Sequence, residues 1–225
     1  MNPQSFLEQA RNNMVEQQIR TWEVLDQDVL DLLYLVPRED FVPAQYRTLA
    51  FSDMEIPIEA GVNAGERMWQ PKLEARVLQE LAIRKTDSVL EVGTGSGYLT
   101  ALLSHRAGHV HSVEINPKLA EFGRKNLSRQ GLDNVTLQTG DAARGWPRQA
   151  PYDVIVLTGS TPVLPHSFLE QLAPGGRLFA VIGEAPAMTA RLVACTAPGA
   201  YSSVTLFETV IAPLANAEQP PRFKF

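Results

Sequence analysis

Ser88-Val-Leu-Glu-Val-Gly-Thr-Gly-Ser-Gly-Tyr98 is the stretch that decides the fold of this chain. Val89, Leu90 and Val92 form the short apolar run that a buried parallel strand requires. Gly93, Gly95 and Gly97 follow at alternate positions and turn that strand sharply into a helix. Glycine suits such a turn because a residue without Cβ reaches positive φ freely and lets a ligand lie against the backbone. The stretch therefore predicts strand, glycine turn and helix, with a nucleotide-like ligand as the first expectation.

The flanking sequence repeats the same alternation. Leu99, Leu102 and Leu103 stripe the next helix, and Gly108 is expected to close it in the left-handed conformation. His109 to Glu114 predicts a second strand. Asn116-Pro117 caps and starts a helix that uses Leu119, Phe122 and Leu127 and ends near Gly131. Three more strands are expected over Val135 to Thr139, Val154 to Leu157 and Arg177 to Ile182. A βαβαβ order implies a parallel, doubly wound α/β sheet with its ligand at the strand carboxyl ends. Arg191 to Cys195 and Ser203 to Ile211, joined by Ala197-Pro198-Gly199-Ala200, suit a closing antiparallel hairpin. Pro220-Pro221 makes the end of the tail extended.

Upstream of the glycine turn the chain is mostly helical in pattern. Leu7, Ala10 and Met14 fall at spacings of three and four. Asp26 can cap a second helix whose Val29, Leu30 and Leu33 share a face, and Pro37 stops it. Phe41-Val42-Pro43 predicts an extended connector. From Ala50 to Pro71 the pattern is irregular, with Ile56-Pro57-Ile58, Gly61 and Gly65, and a loop of that length is more often functional than idle. Lys72 to Ile83 resumes helical spacing through Leu73, Val77, Leu78 and Leu81, with Pro71 at the first helical position.

Composition narrows the classes. With 225 residues, 44% hydrophobic and 20% charged, the chain can bury a full core and suits one elaborated domain over 1–225. Within it, 1–70 would be a helical extension and substrate loop, 71–183 the cofactor-binding core, and 184–225 the hairpin and tail. The net charge is -5, from 20 Lys and Arg against 25 Asp and Glu, with no basic run, so nucleic-acid binding is not expected. Cys195 is the sole cysteine, which rules out an internal disulfide and suits a small buried hydrophobe. No apolar run reaches ~18 residues and no signal-peptide pattern opens the chain, so a cytoplasmic protein without a membrane span is the expectation. No Cys or His cluster has metal-ligand spacing, and no metal is expected.

Two acids sharpen the ligand. Glu114 ends the second strand about 20 residues beyond the glycines, where a carboxylate can accept from both hydroxyls of a ribose. Asp141 follows Gly140 at the end of the third strand and can accept from the exocyclic amine of adenine. The dinucleotide fingerprint separates its second and third glycines by two residues, whereas here the spacing is Gly93-x-Gly95-x-Gly97. Glu91 stands two residues before the first glycine, where it would repel a pyrophosphate but suit the ammonium of an amino-acid ligand. An adenosine joined to a zwitterion fits these residues better than NAD.

Glu91 to Tyr98 resembles the first motif of class I S-adenosylmethionine-dependent methyltransferases, with Glu114 and Asp141 in the matching acidic places. Met14-Val-Glu-Gln-Gln-Ile-Arg20, Val36-Pro-Arg38, Phe41-Val-Pro43, Gly145-Trp-Pro147, Ala150-Pro-Tyr-Asp153 and Leu172-Ala-Pro-Gly-Gly-Arg-Leu178 resemble one branch, the protein-L-isoaspartate O-methyltransferases. The similarity spans roughly residues 10 to 183. It implies a Rossmann-like sheet of seven strands with a final antiparallel hairpin. It also implies S-adenosylmethionine as cofactor, held by Glu91, Gly93, Thr94, Gly95, Ser96, Gly97, Tyr98, Glu114, Ile115, Asp141, Ala142 and Thr158.

One departure stands out. Where the family carries Gly-Gln-Thr-Ile-Ser-Gln-Pro, with the serine hydroxyl at the methyl-transfer site, this chain has Gly65-Glu-Arg-Met-Trp-Gln-Pro71. Trp69 stands in the serine's place, and an indole donates one hydrogen bond and accepts none. Arg67, Met68, Trp69 and Gln70 are therefore the expected substrate-loop residues. Trp69 would stack over a sulfonium, wall off a smaller pocket, or simply pack the loop. Arg67 and Lys72 could pair with a substrate carboxylate. After the fourth strand, Thr158-Gly-Ser-Thr-Pro162 replaces the family's small-residue run.

The expected activity is carboxyl methylation of an isoaspartyl-containing protein or peptide, or of a small carboxylate acceptor. A carboxylate of pKa ~4 is already ionised at neutral pH, so His105, His109, His111 and His166 need no acid-base role, and no catalytic residue is assigned. Two alternatives stay open because the serine is gone: a methyltransferase with another acceptor, or a non-catalytic cofactor-binding module.

Overall fold

A computed structural model of the chain describes residues 3–58 and 66–220. Gly61, Gly65 and Pro221, singled out above, lie outside the described residues. Seven strands form one sheet in the order β5-β4-β3-β6-β7-β8-β9: β3 (Ser88–Val92), β4 (His109–Glu114), β5 (Val135–Thr139), β6 (Tyr152–Leu157), β7 (Leu172–Glu184), β8 (Ala187–Ala197) and β9 (Ala200–Glu208). The first five strands run parallel, and β8 and β9 close the sheet antiparallel, as the pattern predicted. The order reverses at β3, which has β4 on one side and β6 on the other, and a crevice opens there at the carboxyl ends.

Helices cover both faces because successive strand residues point to opposite sides. Val89, Val154, Val156 and Phe179 join one apolar cluster with α2 (Gln27–Leu35), α3 (Pro71–Leu81) and α4 (Tyr98–Arg106). Leu90, Val92, Ile155 and Leu157 join a second cluster on the other face, with Phe168 and Trp146. Cys195 is buried in that second cluster. The helix starts follow their local chemistry. Asp26 accepts from the amides of Asp28 and Val29 at the head of α2, Asn116 accepts from Lys118 at the head of α5 (Pro117–Arg129), and Pro71 opens α3. No helix among the described residues is long and apolar enough to cross a membrane.

Local expectations fail in three places. In Phe41-Val42-Pro43, Pro43 is extended at φ -53° and ψ 142°, but Phe41 is not. Phe41 has φ -98° and ψ -11° and lies between 3-10 turns at Arg38–Asp40 and Ala44–Leu49, because burying Arg38 folds the chain back on itself. Gly108 does not cap α4 in the left-handed region. The helix ends at an extended Ala107, and a Cβ on Gly108 would sit 2.8 Å from the Lys85 carbonyl, so close backbone approach explains this glycine. The irregular 50–71 segment contains a short antiparallel ribbon, β1 (Ile56–Pro57) with β2 (Arg67–Met68). The first helix, α1 (Pro3–Asn13), runs on into a π-helical turn, Met14–Ile19, that buries Met14, Val15 and Ile19. The strands β6 to β8 are longer than the apolar runs that predicted them, and β9 is displaced toward the turn.

Candidate active site

The crevice at the end of β3 is a cavity of about 340 Å³, at the small end of the ~300–1,000 Å³ typical of ligand pockets. Its floor is the glycine turn. Gly93, Gly95 and Gly97 all have positive φ, at 99°, 55° and 84°. At Gly93 a side chain is also sterically barred, since a Cβ would lie 2.1 Å from Thr158 Oγ1. That hydroxyl sits 2.8 and 2.9 Å from the carbonyls of Val92 and Gly93, tying the end of β6 to the end of β3.

Two strand-end acids face this floor. Glu114 accepts from the amides of Gly95 at 2.9 Å and Asn116 at 3.0 Å, one on each carboxylate oxygen. Asp141 accepts from the amide of Ala143 at 2.9 Å and from Asn216 Nδ2 at 2.8 Å. Both carboxylates are thus oriented before any ligand arrives. Of the residues singled out from the sequence, Arg67, Met68, Trp69, Gly93, Thr94, Gly95, Ser96, Glu114, Ile115, Asp141, Ala142 and Thr158 line this one cavity.

Gln70, Glu91, Gly97 and Tyr98 do not line it. Glu91 shares a strand face with Val89, so its side chain is fully buried among the helices instead of opening into the crevice. Its Oε2 accepts from Thr100 at 2.5 Å and Ser112 at 2.6 Å, while Oε1 is buried without a partner. Burial pushes this carboxyl up to about 8, against the lowering effect of the two hydroxyls. Ser112 donates to Glu91, so the 2.6 Å contact between Thr94 and Ser112 has Thr94 as donor. A hydroxyl chain therefore links Glu91 to Thr94 in the cavity wall. Gly97 heads α4 in the left-handed conformation and packs 3.2 Å, measured from an ideal Cβ, from the Gly123 carbonyl. Tyr98 is buried with its ring under the Arg38 guanidinium, 4.8 Å from the centroid, and burial raises its phenol.

Segments distant in sequence supply the opposite wall. Trp69 is only 6% exposed and meets Phe179 edge-on at 6.2 Å, so it both packs the loop and lines the cavity. Ile58 reaches over Gly95, and Asn116 Nδ2 donates to Glu66 at 2.8 Å. Lys72, a candidate partner for a ligand carboxylate, is instead paired with Asp53 at 2.7 Å and is not in the wall. The residues after β9 return across the mouth. Ser160 donates its amide to Ala212 and accepts from the amide of Leu214, both at 2.9 Å, and Gly159 is bare because Leu214 lies against it.

Sequence reasoning missed Ile58, Glu74 and the 212–215 segment as lining residues. Glu74 sits in the first turn of α3 on its buried face, an anomaly that was visible as a charge on the apolar stripe of that helix. The described lining contains five carboxylates, Glu55, Glu66, Glu74, Glu114 and Asp141, with one guanidinium, Arg67. No histidine lines it, and no group of His, Cys, Asp or Glu among the described residues could hold a metal ion.

Comparison with known proteins adds to this geometry. Residues 9–219 match the family model described as protein-L-isoaspartate(D-aspartate) O-methyltransferase. A protein-L-isoaspartate O-methyltransferase of Protochlamydia amoebophila is 44% identical over 170 residues, covering 76% of this chain and 79% of the relative. That of Hyperthermus butylicus is 34% identical over 224 residues, covering 95% and 91%. A solved protein-L-isoaspartate O-methyltransferase superposes with a TM-score of 0.78 at 26% identity, over 91% of this chain and 66% of that one. A Plasmodium falciparum structure in complex with S-adenosyl-L-homocysteine shares the fold, with a TM-score of 0.76 at 20% identity, over 90% and 97%.

Proposed function

The chain belongs to the protein-L-isoaspartate(D-aspartate) O-methyltransferase family, and we propose that its crevice binds S-adenosylmethionine and directs the methyl group to the side-chain carboxylate of an isoaspartyl residue in a protein or peptide. One observation carries this reading: a bare-backbone turn and two strand-end carboxylates, each already held by a main-chain amide, converge on a single small cavity.

The residues present fit the cofactor. Positive φ at Gly93 and Gly95 bends the main chain into the cavity floor, against which an amino-acid moiety would lie. Each oxygen of Glu114 spends one lone pair on an amide, and the other remains for a ribose hydroxyl. Asp141, steadied by Ala143 and Asn216, would accept from the adenine amine. Glu91 would act through Thr94 and not by direct contact. With Glu74 paired to Arg38, the other four lining carboxylates, Glu55, Glu66, Glu114 and Asp141, stand against one lining guanidinium, Arg67, and favour a ligand that carries positive charge.

S-adenosylmethionine supplies a methyl group on a sulfonium, ready for in-line displacement. The acceptor carboxylate is ionised at neutral pH, so the chain has to align and dehydrate it and need not remove a proton. Trp69 closes the acceptor side with an apolar face and excludes water there. A cytoplasmic location belongs to the same reading.

A second reading, another acceptor on the same cofactor site, is favoured by the indole where the family loop has a serine. Incubating the chain with methyl-labelled S-adenosylmethionine and matched isoaspartyl and aspartyl peptides separates the two. The expected outcome is label on the isoaspartyl peptide alone. Cofactor binding by calorimetry without any label on that peptide rejects the isoaspartyl acceptor and leaves the second reading.

A further inference from the structure

Arg38 has no part in the assignments above, yet among the described residues it is the only Arg or Lys that is buried, at 1% exposure. A cation is not enclosed without partners, and this one has four. Its Nε donates to the Ala50 carbonyl at 3.0 Å, Nη1 to the Glu74 carboxylate, and Nη2 to the Trp69 carbonyl at 2.5 Å. Its flat face covers the ring of Tyr98. Two of the four, Trp69 and Glu74, line the cavity, and Tyr98 is the first residue of α4, directly after the glycine turn.

From this geometry we infer that Arg38 is a positioning residue, a clamp that sets how far the acceptor wall stands from the cofactor floor. The inference rests on the methyl-transfer reading and adds to it a residue that touches neither reactant. A guanidinium is a rigid planar fork, so three donors aimed at three segments lock those segments in one register. The Trp69 contact matters most, because the bond is to the main chain at the point where the indole leaves it. Stability alone is a weak reason for such a group, since a buried ion pair is often replaceable by apolar side chains at little cost. Alignment is a stronger one: a displacement of about 1 Å between reacting groups can lower turnover by roughly 100-fold.

The test compares Arg38→Lys, which keeps the charge but cannot span the three acceptors, with the double variant Arg38→Met/Glu74→Leu, which leaves no unpaired buried charge. Cofactor Kd, acceptor KM, kcat and amide hydrogen exchange over 67–73 are measured for each beside the wild type. The expected result for both is cofactor Kd within about threefold of wild type, kcat lower by roughly 100-fold, and faster exchange over 67–73 but not over β3. Wild-type kcat in either folded variant, or a loss confined to cofactor Kd, overturns the clamp. If neither folds, Glu74→Gln decides. It leaves the bond to the Trp69 carbonyl in place, so unchanged exchange over 67–73 in that folded variant supports the clamp, and faster exchange there overturns it. A wild-type chain that binds cofactor but labels no peptide rejects the functional reading instead. The clamp is then judged on exchange, and an unaltered rate over 67–73 in Arg38→Lys overturns it.

Discussion

The two walls of the crevice are built by opposite means. The cofactor wall consists of short runs at the ends of neighbouring parallel strands, placed by main-chain bonds such as Gly93 to Val113 at 2.8 Å and Gly140 to Glu114 at 2.9 Å. The acceptor wall and the tail are placed by side chains that reach across the sequence: Arg38 to Trp69, Asn116 to Glu66, Asn216 to Asp141. The first wall is specified by a local pattern, and the second by pairs. Methyl acceptors can therefore change with a few side chains while the cofactor floor stays as it is.

Substitutions on each side sharpen this contrast, and the largest effect is expected behind the floor. Glu91 titrates near 8 in the folded protein because it is buried, against 4.5 for the unconstrained side chain. Between those values the folded chain keeps a proton that the unfolded chain has lost. The associated stability is complete below about pH 4.5 and declines by about 1.4 kcal/mol per pH unit until the group ionises near pH 8. Glu91→Gln removes this dependence. Relative to wild type, the variant should gain about 3 kcal/mol between pH 5 and pH 8 in urea unfolding. Parallel curves for the two proteins would show that Glu91 is already ionised in the fold.

Gly93→Ala comes next. It forces a Cβ against Thr158 Oγ1 at φ 99°, and should weaken S-adenosyl-L-homocysteine binding by about 2–3 kcal/mol, read by calorimetry. Near-normal affinity would mean that the floor yields, contrary to a wall set by the main chain. The smallest effect belongs to the pair-built side. Asn216→Ala removes one exposed hydrogen bond to Asp141 and should cost about 0.5–1 kcal/mol of cofactor affinity, with kcat unchanged. A loss of about 100-fold would make the tail as important as the floor.

The same division explains what was legible in the sequence. The glycine turn, the strand-end acids and the capped helices announce themselves because their signals are local: residue type, spacing and period. Glu91 was misplaced as a direct ligand because its nearness to the glycines was weighed over strand parity, which groups it with Val89. Gly108 and Phe41 followed the wrong local rule because backbone crowding at Lys85 and the burial of Arg38 override it. Glu74 showed only as a charge on an apolar stripe, and Ile58 and the 212–215 segment had no local signature, since only the folded sheet brings them to the mouth. Trp69 was recognised as a departure, but whether it packed or lined was not decidable from the loop alone. It does both.

The bridge between Ser160 and residues 212–214 has a consequence for the order in which the protein comes into being. A ribosome delivers the glycine turn and both strand-end acids about seventy residues before it delivers the 212–214 rim. The cavity is thus enclosed on that side only once residues 212–214 have followed the floor out of the ribosome.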